Sequence, residues 1–142
     1  MTGTVIEGRG LISGRVSGAA LRSAKAFTFA HGVDPSTGAV TDVRSDIRGE
    51  NVKGKVLFYP FGKGSTTASS WFLEAVRLGN FPAAIVTEGI DLSAVIGSVM
   101  ARVIYGIEIP VVSGVSREEC SKVPQGARVT VSSSKDDARV EA

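Results

Sequence analysis

Apolar and polar positions keep two different periods along this chain. Near its end, "GARVTVSSSKDDARVEA" alternates every second residue, which predicts two short strands joined as a hairpin around Ser-Lys-Asp-Asp. The first third is also strand-like, but cut by Gly8, Gly10, Gly14 and Gly18 into short apolar pieces. "AKAFTFA" (residues 24–30) alternates and predicts a further strand. "GVDPSTGAV" then holds Asp-Pro and Thr-Gly, a turn in which Asp34 needs no role beyond turning the chain. In the middle, short continuous apolar runs alternate with a helical period. "GKVLFYP" (54–60), "AAIVTE" (83–88) and "IPVVSG" (109–114) read as buried strands. Between the first two, Ala68, Trp71, Phe72, Ala75, Val76 and Gly79 share one helical face, with Ser70, Glu74 and Arg77 opposite. Between the last two, "DLSAVIGSVMARVIYG" predicts a helix capped by Asp91 or Ser93 and stopped by Gly106. It is apolar nearly all round, so it belongs inside the domain or against a partner. The order β-α-β-α-β fits crossover units on a parallel sheet, and residues 1–142 form one compact α/β domain in this reading.

Composition narrows the function classes. The formal charge is only +2, the basic residues are scattered and aromatics make up 6% of the chain, which argues against a nucleic-acid surface. The start, "MTGTVIEGRG", lacks the basic and apolar regions of a signal peptide. The longest apolar stretch, residues 92–107, is broken by Arg102 and falls short of a membrane span. The expected setting is therefore the cytoplasm, away from membranes. Cys120 stands alone in a polar turn, as an inert surface thiol, and one thiolate does not hold an iron–sulfur cluster. His31 is the only histidine and gives no metal-ligand set, so no metal is expected on this chain. The spacing Gly8-x-Gly10-x-x-x-Gly14 misses the dinucleotide fingerprint by one residue and has no helix after it.

Chemistry concentrates where the strand "GKVLFYP" gives way to the first helix, in "FGKGSTT" (61–67). Three readings of that junction stand side by side. In the first, Ser65, Thr66 or Thr67 caps the helix, worth about 1 kcal/mol. In the second, Gly62 and Gly64 let an anion approach free N–H groups, with Lys63 adding charge. The loop is not a Walker loop, because Gly64 separates Lys63 from the hydroxyl. In the third, Ser65 is chemical. With one histidine in the chain a Ser-His-acid triad is not supported. As a base Ser65 must act as alkoxide, and a helix N-terminus supplies at most about 2 kcal/mol toward that charge. At about 1.36 kcal/mol per unit, this lowers a pKa by roughly one to one and a half units. Charge or donors from Lys63, a metal or another chain have to complete the site.

"GKVLFYPFGKGSTTAS…AAIVTE…IPVV", supported by "GVDPSTGAV" at 32–40, resembles the small subunit of aconitase-X-type dehydratases, and most of all their archaeal phosphomevalonate branch. The likeness covers most of the chain. It implies a swivelling β/β/α domain like the aconitase lid domain, present as a separate chain. It also implies a large subunit, in a heterodimer or a multiple of it, that carries a 4Fe-4S-type cluster and most substrate contacts. The family's serine base falls on Ser65; Gly64 and the N–H groups of Thr66 and Thr67 would hold it and any developing negative charge. Lys63 would meet a carboxylate or phosphate, or stay solvated. The implied reaction is loss of water from (R)-5-phosphomevalonate, giving trans-anhydromevalonate 5-phosphate on a modified mevalonate route to isoprenoids. Ser65 would take the proton next to the carboxylate while the 3-hydroxyl leaves, helped by cluster iron. Two features depart from relatives: Thr67 stands where aconitases place an arginine, and "SDIRGENVKGK" lacks a His-Pro pair. The alternatives are a subunit of a cis-3-hydroxy-L-proline dehydratase and a non-catalytic anion-binding module. A phosphohistidine carrier is not supported, since His31 is not in a turn beside a helix in this reading.

Overall fold

A computed structural model of the chain describes residues 3–63 and 67–142. Its strands and helices follow in the order β1 (Val5–Ile12), β2 (Gly14–Arg22), β3 (Val56–Tyr59), α1 (Thr67–Arg77), β4 (Ala84–Thr87), α2 (Leu92–Tyr105), β5 (Val111–Ser113), α3 (Arg117–Cys120), β6 (Arg128–Ser134) and β7 (Asp137–Glu141). The seven strands close into a barrel, β1-β5-β4-β3-β2-β6-β7. One half is parallel, β2 to β5 through β3 and β4, as the β-α-β-α-β pattern predicts. The other half is antiparallel and includes the predicted terminal hairpin of β6 and β7.

Closure depends on β1, which is one strand of eight residues rather than the short pieces its glycines suggest. Val5–Gly8 pairs with β7; beyond it the strand pairs with β5, through an irregularity between Gly10 and Ile12. Gly10 lies against the carbonyls of Ser134 and Asp137, where a side chain has no room. Glycine here serves close backbone approach at the seam between the two half-barrels.

The continuous apolar runs of β3 and β4 follow from burial on both faces. Val56, Phe58, Ala84, Val86 and Val112 join Ile6, Val129, Val131 and Val140 in one core inside the barrel. Leu57, Tyr59, Ile85 and Val111 point the other way, into a second core with Phe72 of α1, Ala94 and Ala101 of α2, and Phe27, Phe29, Val33 and Val40. The strand predicted at 24–30 is absent: this segment makes one isolated bridge, Phe27 to Gly62, and otherwise runs as loop. Its alternation reports which side chains are buried, Phe27 and Phe29, without a neighbouring strand to pair along its length. The turn at 32–40 is as predicted. Asp34 accepts the Ser36 N–H on its side chain and the Gly38 N–H on its carbonyl.

α1 buries Ala68, Phe72, Ala75 and Val76 and leaves Ser70 and Arg77 outside, the face its period predicts. Asp91 caps α2 through the N–H groups of Ser93 and Ala94, and Gly106 ends it at φ 68°. The two helices touch at Gly97, where a methyl group would fall on the ring of Phe72, itself fully buried. Cys120 is not a surface thiol: it packs half-buried against the barrel core, and burial pushes its pKa up to about 11.

Gly97→Ala sets helix propensity against packing. The new methyl favours the helix by about 1 kcal/mol, but overpacking against an immobile ring costs about 1–3 kcal/mol. The expected outcome is a net loss of stability, read as a lower melting temperature by circular dichroism. A stabilised variant would show that α1 and α2 separate freely.

Candidate functional site

The C-terminal ends of parallel strands collect the loops that carry ligands in α/β folds, and the candidate loop leaves from the end of β3. Its entry is pinned by backbone pairs on both sides. Phe27 N–H donates to Phe61 O at 2.9 Å, and Lys63 N–H donates to Phe27 O at 2.8 Å. Pro60 O accepts the N–H groups of Glu88 and Gly89 at 3.2 and 3.0 Å, from the end of β4.

Tyr59, the last residue of β3, donates its hydroxyl to Asp91 Oδ2 at 2.6 Å. The same carboxylate accepts from Ser93 and Ala94, at 3.1 and 3.4 Å. It also fills the space where a side chain on residue 62 would stand, so Gly62 is required for close approach rather than for turning. Burial, then the neighbouring Asp91 charge, hold the Tyr59 phenol well above its ordinary pKa of 10.0.

Lys63 is paired within the chain and stays partly exposed: its ammonium lies 2.9 Å from Asp42 Oδ2. The Arg44 N–H, and after it Lys63, hold the Asp42 carboxyl below its usual range. Thr67 is the first residue of α1, which has no acidic residue in its first turn to oppose an anion there. Gly64, Ser65 and Thr66 lie outside the described residues. Contrary to the sequence reading, His31 does sit in a turn beside a helix: its ring packs at 4.4 Å from that of Trp71 in α1, with His31 at a left-handed φ of 57°.

Beside the loop entry is a cavity of about 170 Å³, lined by Arg22, Pro60, Glu88, Arg117 and Cys120 among others. Arg22, Pro60 and Glu88 mark the ends of three adjacent parallel strands. Arg117 faces Glu88 at 3.6 Å and lies 5.7 Å from the centre of the Phe61 ring. The buried Nε of Arg22 has no hydrogen-bond partner among the described residues. The lining of this cavity thus holds two guanidinium groups, one carboxylate and no histidine.

Sequence reasoning reached the loop but not what holds it. Asp42, Asp91 and Arg117 meet it from positions that no local spacing connects, and Tyr59, two residues before the loop, bonds to Asp91.

A mixed β/β/α barrel with this loop at its parallel edge is the architecture of a swivelling domain. The model of the aconitase X swivel domain matches residues 5–141, and the chain belongs to that family. It is 39% identical over 136 residues to the phosphomevalonate dehydratase small subunit of Thermococcus sibiricus, covering 96% of this chain and 98% of that protein. The protein of the same name from Pyrococcus furiosus is 35% identical, over 95% of this chain and 94% of its own. A crystal structure of Thermococcus kodakaraensis aconitase X in its holo form matches with a TM-score of 0.83 and 33% identity, over 96% of this chain and 97% of that one.

Tyr59→Phe removes one donor from Asp91 and is expected to cost about 1–2 kcal/mol at neutral pH. A raised phenol pKa contributes stability that is complete below about pH 10. That contribution is lost as pH rises above it, because the unfolded tyrosine ionises first. Denaturant titrations from pH 8 to 11.5 should show a shallower alkaline decline in the variant. Parallel curves would mean that the Tyr59 phenol is not held above its ordinary pKa in the folded chain.

Proposed function

We propose that this chain is the small subunit of a hydro-lyase that converts (R)-5-phosphomevalonate to trans-anhydromevalonate 5-phosphate. The observation that carries the reading is the match to phosphomevalonate dehydratase small subunits along nearly their whole length. The site's geometry supports it. The chain enters residues 64–66 from a Lys63 fixed by Phe27 and Asp42, and leaves them directly into α1.

In this reading Ser65, as alkoxide, takes the proton from the carbon next to the substrate carboxylate. The C–H electron pair becomes the new double bond, and the 3-hydroxyl departs from the neighbouring carbon. Gly64 and the N–H groups of Thr66 and Thr67 hold the serine oxygen and developing negative charge. Lys63, bonded to Asp42, fixes the loop and adds positive charge at its base. The α1 N-terminus contributes at most about 2 kcal/mol, so the remaining stabilisation of the alkoxide comes from the large subunit and the bound substrate.

The residues of this chain do not fit an iron–sulfur cluster. Cys120 has a thiol held protonated by burial, and no group of three or more His, Cys, Asp or Glu side chains is placed to hold a metal among the described residues. The cluster is therefore assigned to the large subunit, together with departure of the hydroxyl. The proposed setting is a cytoplasmic two-subunit enzyme acting on a small phosphorylated hydroxy acid; no described helix is long and apolar enough to cross a membrane.

The test is Ser65→Ala in the complex reconstituted with its large subunit under anaerobic conditions, assayed for anhydromevalonate phosphate. Loss of a general base should lower kcat by about 10²–10⁴-fold with the melting temperature nearly kept. Activity retained with about 1 kcal/mol of lost stability would return Ser65 to a helix cap. Turnover of cis-3-hydroxy-L-proline in place of the phosphate ester would reassign the substrate.

A further inference from the structure

α1 and α2 pack side by side on the same face of the parallel strands, yet their outer faces differ. α1 presents Ser70, Glu74 and Arg77, with Arg77 bonded twice to Glu74 at 2.7 Å. That is an ordinary solvated face. α2 buries only Ala94, Gly97, Ser98 and Ala101. On its other side Leu92, Ile96, Val99 and Val103 are exposed at i, i+4, i+7 and i+11, one stripe of the helix, with Met100 and Ile104 beside it. Val103 is 77% exposed and Leu92 68%. Arg102, the one charged residue of α2, is turned away from the stripe, donating to Ser13 O at 3.0 Å and facing Glu108 at 3.7 Å. A contiguous apolar patch of this length, about 20 Å of helix, marks an interaction surface rather than a solvent face.

We propose that this stripe is the surface on which the large subunit seats. The inference rests on the small-subunit reading above, and three features select that occupant. The stripe runs without a break to the candidate site. Ile90 and Phe61 are 53% and 45% exposed at its upper end, and Asp91, which starts the helix, touches Tyr59 and Gly62. A chain seated here therefore borders the loop entry at Phe61 and Gly62, and the proposed Ser65 alkoxide of that loop needs charge and donors from outside this chain. A lipid surface would need Lys and Arg along the flanks of the helix, and α2 carries only Arg102, already bonded to Ser13. A second copy of this chain would bring another half-site, again without the missing groups.

The test pairs the full chain with its purified cognate large subunit. Val99→Lys with Val103→Lys places two charges on exposed positions, leaving the packed face untouched. Val43→Lys, at a position 71% exposed in the 41–46 loop, is the control. Binding is measured by titration calorimetry, and amide exchange of α2 is followed in the free chain and in the complex. The double variant should melt like the original chain and bind at least about 100-fold more weakly, as loss of a central apolar cluster does. Val43→Lys should bind normally, and α2 amides should gain protection only in the complex. Full binding by the double variant with unchanged α2 exchange would overturn the docking surface and leave the small-subunit reading intact. A free chain that dimerises through α2, and stays dimerised through it in the complex, would overturn it in favour of a second copy. If the original chain does not bind the large subunit at all, the small-subunit reading fails and this inference fails with it.

Discussion

One carboxylate sets the geometry of the functional edge. Asp91 accepts the Tyr59 hydroxyl at the end of β3, starts α2 by accepting two of its backbone N–H groups, and occupies the space beside Gly62. Hydrogen bonds to a charged acceptor are worth about 1.5–3 kcal/mol each when partly buried, so the three elements are held to one another strongly. The loop after β3 and the apolar stripe of α2 share this anchor. Whatever seats on the helix is thereby placed in register with the loop, without any contact between loop and stripe being required.

The barrel divides the remaining work. Its parallel half is buried on both faces and carries the helices on one of them, so the loops at its C-terminal edge start from fixed strand ends. Its antiparallel half completes the ring. The cations at the edge are largely held by the chain itself, Lys63 by Asp42 and Arg117 by Glu88. Arg22 adds a further guanidinium there, whose buried Nε has no hydrogen-bond partner among the described residues.

Much of the parallel half was legible in the sequence, because local rules govern it. The buried runs of β3 and β4, the amphipathic face around Phe72, the Asp91 cap and the Gly106 stop each lie within a few residues of their cause. The terminal hairpin was legible for the same reason. Residues 24–30 misled because alternation records burial, and Phe27 and Phe29 are buried by tertiary packing without a full strand partner. Barrel closure was out of reach: it depends on β1 meeting β5 and β7, from the far end of the chain. The same distance hid the site's supports. Asp42 reaches Lys63, and Asp91 reaches Tyr59, across 21 and 32 positions. The sequence left α2 open between core and partner surface; the structure buries one face against the core and leaves an apolar face exposed.

The seam strand β1 has a kinetic consequence. Its partners include the last strand of the barrel, so the ring closes only when residues 137–141 are available to fill the gap between β1 and β6. During synthesis the β-α-β-α-β segment, with its nearby contacts, is complete well before that, while β1 and β6 still present open edges. Pairing of such sequence-distant strands is slow compared with local helix and crossover formation, and open edges invite pairing with other chains. The interval between emergence of β6 and docking of β7 is therefore when the nascent chain is most exposed to misassociation, and the two-residue turn at Lys135 and Asp136 keeps that interval short.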